Sequence, residues 1–229
     1  MGPSVAAFVR HADYMQIPGV PSAHQPYGLT QAGCVQAKRG ARELLDTASK
    51  HGWQIAPVID SSRMLRSWQT AEIFARECAV EIIESFDALA ERGLGCAANL
   101  TVAQIEDILR EDPRYDVPPF NWKADSHYRL PLQGTESLLE AGRRVADHVE
   151  ERMANLVDPG NAETVKVFIG HGAAFRHAAF HLGVLESDRI ALLSMYHGRP
   201  VFLGREPGGR WRHLDGEWKV RLENSDAMD

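Results

Sequence analysis

A chain of 229 residues, 44% of them hydrophobic and 24% charged, is long enough for one substantial soluble core with room for a small inserted cap. Its formal net charge of −6 excludes nonspecific nucleic-acid binding, which needs a basic face, but not a local cationic pocket.

The apolar run Val5 to Val9 predicts a buried strand, stopped by Arg10-His11. A loop rich in turn formers follows, with Pro18, Gly19, Pro21, Pro26 and Gly28. Thr30 is placed to cap a helix that runs to about Lys50 and stops at Gly52. Pro57 to Ser62 reads as a second strand, Ser67 to Cys78 as a helix, and Glu81 to Ser85 as a third strand. Alternating strands and helices predict parallel pairing with right-handed crossovers.

The alternation breaks between Gly93 and Gly134, which reads as an inserted cap within a single domain spanning 1–229. Its one clear helix covers about Thr101 to Arg110, with Thr101 and Gln104 at capping-box spacing. A long amphipathic helix is expected from Ser137 to Leu156, a fourth strand over Val165 to Ile169, and a helix from Ala173 to Leu182. Short antiparallel strands close the chain around turns at Pro207-Gly208-Gly209 and Asp215-Gly216, and the polar tail Asn224 to Asp229 is expected to fray. The predicted fold is a three-layer α/β/α sandwich, its sheet mainly parallel with an antiparallel C-terminal edge.

Cys34, Cys78 and Cys96 form no CxxC pair, which speaks against a disulfide framework or zinc site and for a reducing compartment. No apolar run is long enough to span a bilayer, and no basic-then-apolar leader opens the sequence. Ala6 stands where a myristoylation motif beginning at Gly2 needs Ser or Thr. The expected setting is cytoplasmic, with no membrane or nucleic-acid partner.

Four signals fall at the ends of predicted parallel strands. Arg10-His11 ends the first, Arg66 follows the second, Glu91 follows the third, and His171 ends the fourth. Parallel strands deliver their C-terminal ends to one edge, where open α/β sheets bind ligands. Two arginines, two imidazoles and a carboxylate converging there suit phosphoryl transfer. Arginine forks grip a phosphate dianion, a neutral imidazole attacks phosphorus, and a carboxylic acid protonates the leaving oxygen. Arg10 and Arg66 are expected to hold His11 neutral, and a hydrogen bond from its other ring nitrogen to a carbonyl would select the tautomer. Burial or an incoming phosphate is expected to keep Glu91 protonated for part of the cycle. A protonated second histidine would donate to the nonbridging oxygens.

These stretches resemble the histidine phosphatase superfamily, in the branch that holds cofactor-dependent phosphoglycerate mutases and related phosphomonoesterases. The resemblance rests on VRHADY, GLTQAGCVQA, SSRMLRSWQTAE, LAERGLG, Gly134-Thr135-Glu136-Ser137 and His171-Gly172, and spans about Val5 to Leu203. It implies that His11 is the phosphate-accepting nucleophile and Glu91 the general acid and then base. It also implies that Arg10, Arg66, His171 and the Gly172 amide bind phosphate, with no cofactor or metal. Ala12 replaces the family's usual glycine, and Arg63 a common proline. Ile17 stands where many members carry a phosphate-binding asparagine, which leaves one polar contact either missing or supplied by Gln16. The tryptophan-glutamate-glycine of the mutases is missing after Gly95. The expected function is therefore metal-independent hydrolysis of a small phosphorylated metabolite through a phosphohistidine. A phosphoglycerate-type mutase and a non-catalytic phosphoester-binding module are the alternatives, and a homodimer is allowed.

Other residues receive plainer readings. His177 and His181, at i, i+4 spacing, are read as ordinary helix positions rather than a metal grip, and Arg176 as helix surface. Arg63, Lys123 and Arg129 are read first as surface charges, with a place near substrate as the alternative. Trp122 and Tyr128 either line the entrance or fill the cap's own core. Phe175, Phe180 and Leu182 are assigned to the core, and Trp211 and Trp218 to a sheet face.

Overall fold

The fold is that of a computed structural model, which describes residues 4–21, 24–156, 163–206 and 208–221. The first strand, β1 (Ser4–Arg10), organises it by period-two alternation. Val5, Ala7 and Val9 face one apolar layer, and Ala6 and Phe8 face the other. The first layer is covered by α1 (Gln31–His51) and α2 (Leu65–Glu77), through Ala37, Ala41, Leu44, Ala71 and Phe74. The second is covered by α4 (Leu138–Ala154) and α5 (Gly172–His181), through Val145, Val149, Ala174, Phe175 and Ala178. A sheet buried on both faces between two helix layers is the expected three-layer sandwich.

The main sheet contains β2 (Gln54–Ile55), β3 (Val58–Ser62), β4 (Ile82–Phe86), β5 (Thr164–Gly170), β7 (Pro200–Arg205) and β8 (Trp211–Asp215) beside β1. Its order is β4-β3-β5-β1-β7-β8, with β2 also paired to β5. β1, β3, β4 and β5 are parallel, whereas β7 runs antiparallel to β1 and β8 antiparallel to β7. The pairs Arg10↔Gly170 and Val9↔Pro200 bring the ends of β1 and β5 and the start of β7 to one edge. A short helix α6 (Ser187–Ile190) precedes β6 (Leu193–Met195). β6 pairs with β9 (Trp218–Val220) in a separate two-stranded sheet, so the chain leaves the main sheet after Asp215-Gly216. Gly208 and Gly209 turn between β7 and β8, while Pro207 and the tail 224–229 lie outside the described residues.

The end signals read from the sequence act physically. Thr30 accepts from the Gly33 amide, and Gly52 terminates α1 at φ 71°. Thr101 with Gln104 caps α3 (Val102–Glu111), and Ser137 with Glu140 caps α4; both are complete capping boxes. Two boundaries differ from expectation. β4 lies one residue later than the predicted third strand. α2 begins at Leu65, so Arg66 belongs to its first turn, and Ser67, read as the helix start, turns its hydroxyl toward His171 instead.

Within 93–134, Leu94, Ala97, Ile105, Leu109, Trp122 and Leu130 form an apolar cluster of their own. Trp122 is buried there and donates to Glu106 Oε1 at 3.0 Å, and Tyr128 packs beside it. Both therefore belong to the apolar cluster of this segment. Arg176 needs correction: it is buried, and its Nη1 donates to the Leu193 carbonyl of β6. Phe180 is only half-buried, unlike Phe175 and Leu182. Trp211 is buried in the second layer and Trp218 packs against it.

Candidate active site

His11 leaves β1 with its amide bonded to Gly170 O at 2.9 Å, which ties it to the end of β5. Its Nδ1 lies 2.9 Å from Ala12 O, an acceptor, so Nδ1 carries the proton. Arg66 Nε donates to His11 Nε2 at 3.0 Å, so that nitrogen presents its lone pair. Two contacts thus select one neutral tautomer. Thr70 fixes the Ala12 peptide from the other side: its Oγ1 accepts from Ala12 N at 3.1 Å and donates to Arg66 O at 2.7 Å. Burial pushes the His11 pKa well below the ordinary imidazole range, assisted by Arg66, His171, Arg10 and His197.

Arg66 is the hub of the cluster. It is fully buried, and its Nη2 donates to His171 Nδ1 at 3.1 Å while Nη1 donates to Gln25 O at 2.9 Å. Its guanidinium lies 4.6 Å from the Tyr14 ring centroid. His171 ends β5, with its Nε2 at 3.0 Å from Ser62 Oγ at the end of β3. Its Nδ1 accepts from Arg66, and burial, then Arg66 and Arg10, hold its pKa well below the usual range. The His11 and His171 ring centroids are 5.1 Å apart.

Arg10 is buried on the α5 side of β1, with Nη1 donating to Met195 O at 3.1 Å. A Cβ at Gly172 would lie 3.0 Å from Arg10 Cδ and 3.2 Å from its Nε, so glycine lets the arginine lie against the start of α5. Glu91 approaches the same helix end. Its Oε2 accepts from Ala173 N at 3.2 Å and its Oε1 from Arg92 N at 2.9 Å. Glu91 also acts electrostatically on Arg66. Gln16 is half-buried, and its Nε2 has no hydrogen-bond partner among the described residues; none of its hydrogen bonds there reaches the cluster.

The other candidates are engaged elsewhere. His177 Nδ1 donates to Ala173 O at 2.8 Å, with Ser126 Oγ at 3.0 Å from its Nε2. His181 Nε2 donates to Leu139 O at 2.8 Å. Arg63 pairs with Asp87 at 3.3 Å and Arg129 with Glu140 at 3.2 Å, both at exposed positions.

Several residues escaped the sequence reading. His197 stacks on His11 at 5.7 Å and 28°. It arrives because β7 runs antiparallel to β1, so the residues ahead of β7 reach the same edge. Gly40 makes room for that turn, since a Cβ there would lie 1.6 Å from Gly198 O. A histidine and glycine just before the apolar run 200–203 were the available signal. His24 joins from the Pro-rich loop, its pKa lowered by burial and then by Arg66. Arg144 of α4 donates Nε and Nη2 to Glu136 at 3.0 and 2.7 Å. Its Nη1 also reaches the carbonyls of Ala88 and Ala90 at 2.9 and 3.1 Å. Glu136 in turn accepts from Gly93 N at 2.9 Å, so this pair brackets the segment that carries Glu91.

The profile described as histidine phosphatase superfamily (branch 1) matches residues 7–211. The chain belongs to that superfamily. As a histidine phosphatase it also shares its fold with solved relatives. A mycobacterial glucosyl-3-phosphoglycerate phosphatase is 22% identical over 96% of this chain and 100% of its own, with a TM-score of 0.71. Complexes of that protein have been solved with VO3 and with inorganic phosphate. YhfR of Bacillus stearothermophilus is 17% identical over 99% of this chain and 100% of its own, with a TM-score of 0.66. No curated protein matches the sequence.

Proposed function

We propose that this histidine phosphatase hydrolyses the phosphate monoester of a small metabolite through a phosphohistidine on His11. The observation that carries the reading is the His11 tautomer: Nδ1–H is committed to Ala12 O, and the Nε2 lone pair faces the Arg66 fork. A dianion would draw the Arg66 Nε–H and Nη2–H away from the two imidazoles and lie between them and Arg10. Nε2 then attacks phosphorus as the ester P–O bond breaks. Glu91, entering as the carboxylic acid, gives its proton to the departing oxygen, a role worth roughly 10²–10⁴ in rate. In the second half, Glu91 as carboxylate takes a proton from water, whose oxygen displaces Nε2 from phosphorus. Inorganic phosphate leaves and the neutral imidazole is restored. Each step uses only groups of the chain and water.

Further observations support the remaining assignments. Arg66 is fully buried and donates to two imidazoles and a carbonyl, so an arriving dianion meets a desolvated cation rather than a hydrated one. Cys34, Cys78 and Cys96 are free thiols, which fits the reducing setting proposed from the sequence. The relative that acts on glucosyl-3-phosphoglycerate is consistent with a phosphorylated metabolite as substrate class.

The test is metal-free hydrolysis of p-nitrophenyl phosphate with 31P detection of an acid-labile phosphoenzyme after rapid quench. His11→Ala should lose both the intermediate and turnover by about 10³-fold or more, as nucleophile removal does elsewhere. Unchanged turnover in that variant overturns the mechanism. Isomerised ester in place of free phosphate, with a three-carbon phosphoester as substrate, would assign the chain to the mutases instead.

A further inference from the structure

Gln25 takes no part in the chemistry above, yet it is fully buried and both ends of its side-chain amide are engaged. Its Oε1 accepts from Ile17 N at 2.7 Å, and its Nε2 donates to Val20 O at 3.1 Å and Pro21 O at 3.4 Å. An amide has one accepting end and one donating end, so these backbone groups fix which way it lies. They converge because the chain reverses there. Val20 N donates to Ile17 O at 3.4 Å across Pro18-Gly19, with Gly19 at φ 75°, the corner a type II turn reserves for glycine. The turn is also tied to the cap: Gly19 O accepts from Val102 N at 3.1 Å, an amide in the first turn of α3 that has no partner within the helix.

The backbone carbonyl of the same glutamine accepts from Arg66 Nη1 at 2.9 Å. The other two nitrogens of that guanidinium donate to His11 Nε2 and His171 Nδ1. A guanidinium is planar and rigid, so a partner that fixes Nη1 also helps decide where Nε and Nη2 point. Gln25 thus joins the braced turn at residues 17–21 to the fork that faces the two imidazoles. A methionine would fill the same space but bond none of the three backbone groups, leaving them buried without that partner.

We propose that Gln25 is a positioning residue for the phosphoryl-transfer step: by clamping the turn at 17–21 it sets the carbonyl that aims the Arg66 fork at His11 and His171. The effect on rate rests on the hydrolytic reading above; the effect on the fork does not. In the full chain, Gln25→Met should lower kcat/KM for p-nitrophenyl phosphate about tenfold, as small displacements of an orienting group do. In an Arg66→Met background the same substitution should cost less than about twofold, because nothing is left for it to position. With 15N-labelled histidine, the His11 Nε2 signal of Gln25→Met should move toward that of an unbonded ring nitrogen. A glutamine that only stabilises its loop would lower the melting temperature and move neither the rate of the folded protein nor that signal. An unmoved His11 signal in folded Gln25→Met overturns the proposal. So does a tenfold loss that persists in the Arg66→Met background, or an unchanged rate in a chain that turns over. A moved signal in a chain that hydrolyses nothing faults the hydrolytic reading and supports the positioning of Arg66. If melting shows that Gln25→Met is unfolded, Gln25→Asn, whose amide stops one methylene short, takes its place with the same expected readings.

Discussion

Arg66→Lys separates charge from geometry. The guanidinium reaches His11 Nε2 at 3.0 Å, His171 Nδ1 at 3.1 Å and Gln25 O at 2.9 Å from three different nitrogens. A lysine keeps the positive charge but offers a single nitrogen, which cannot span the two rings and the carbonyl. At least two of the three contacts are lost, and with them the planar fork that would hold a phosphoryl group in line with Nε2. Hydrogen bonds to charged groups are worth about 1.5–3 kcal/mol each. Allowing one partial recovery by the ammonium leaves a loss of roughly 3 kcal/mol, or about 10²-fold in kcat/KM at 1.36 kcal/mol per decade. The measurement is steady-state hydrolysis of p-nitrophenyl phosphate beside a thermal melt of the same preparation. A folded Arg66→Lys protein within about threefold of wild type would refute the reasoning, because charge alone would then suffice.

Three further outcomes follow from the same geometry. Gly172→Ala pushes Arg10 by a few tenths of an ångström, and kcat/KM should fall roughly threefold to tenfold with little change in melting temperature; an unchanged rate would place Arg10 outside the phosphate contact. Arg144→Ala releases the carbonyls that bracket Glu91, so kcat should fall about tenfold with KM nearly constant, and Arg144→Lys should restore part of it; equal losses in kcat and 1/KM would argue for a substrate contact instead. Acid should destabilise the fold through its buried neutral histidines. His177 has a pKa of about 3 when folded, against about 6.5 unfolded, so its contribution is complete above pH 6.5 and is lost as the pH falls toward 3. Between pH 7 and pH 5 this amounts to about 2 kcal/mol, and His177→Gln should flatten the pH dependence of denaturant unfolding by that amount; parallel profiles would contradict the assignment. His11 and His171 act with the same sign.

What could be read in the sequence was whatever obeys local rules or parallel topology. Thr30, Thr101 and Ser137 announce helix starts because an extended residue with a side-chain oxygen satisfies an otherwise unpaired amide. Arg10, His11, Arg66, Glu91 and His171 were legible because each follows an apolar run, and parallel strands share a C-terminal edge. Buried charge was not legible. Lys166 sits inside the apolar run of β5 and is 2% exposed, donating to Asp60 Oδ1 at 2.6 Å, while Arg152 and His148 of α4 bond the other oxygen at 2.8 and 3.1 Å. Nothing local distinguishes such a lysine from a misplaced surface residue, since its partners, Asp60 Oδ1 and Val58 O, come from β3. Arg176 misled for the same reason: a cation on a helix reads as solvent-facing until a β6 carbonyl accepts from it.

His197 marks the more general boundary. Strand polarity tells which residues reach the active edge only once each strand's direction is known. For β1, β3, β4 and β5 the intervening helices imply the direction, because a crossover of that length returns the chain parallel. For β7 the hairpin turns predict an antiparallel C-terminal edge but not which of its strands lies beside β1. The pairing Val9↔Pro200 makes the residues before β7 neighbours of His11. The reversal places the His197 ring against that of His11. One antiparallel strand therefore decides which turn carries the ring that backs His11, and substitutions in the turn 196–199 should reach His11 through that ring.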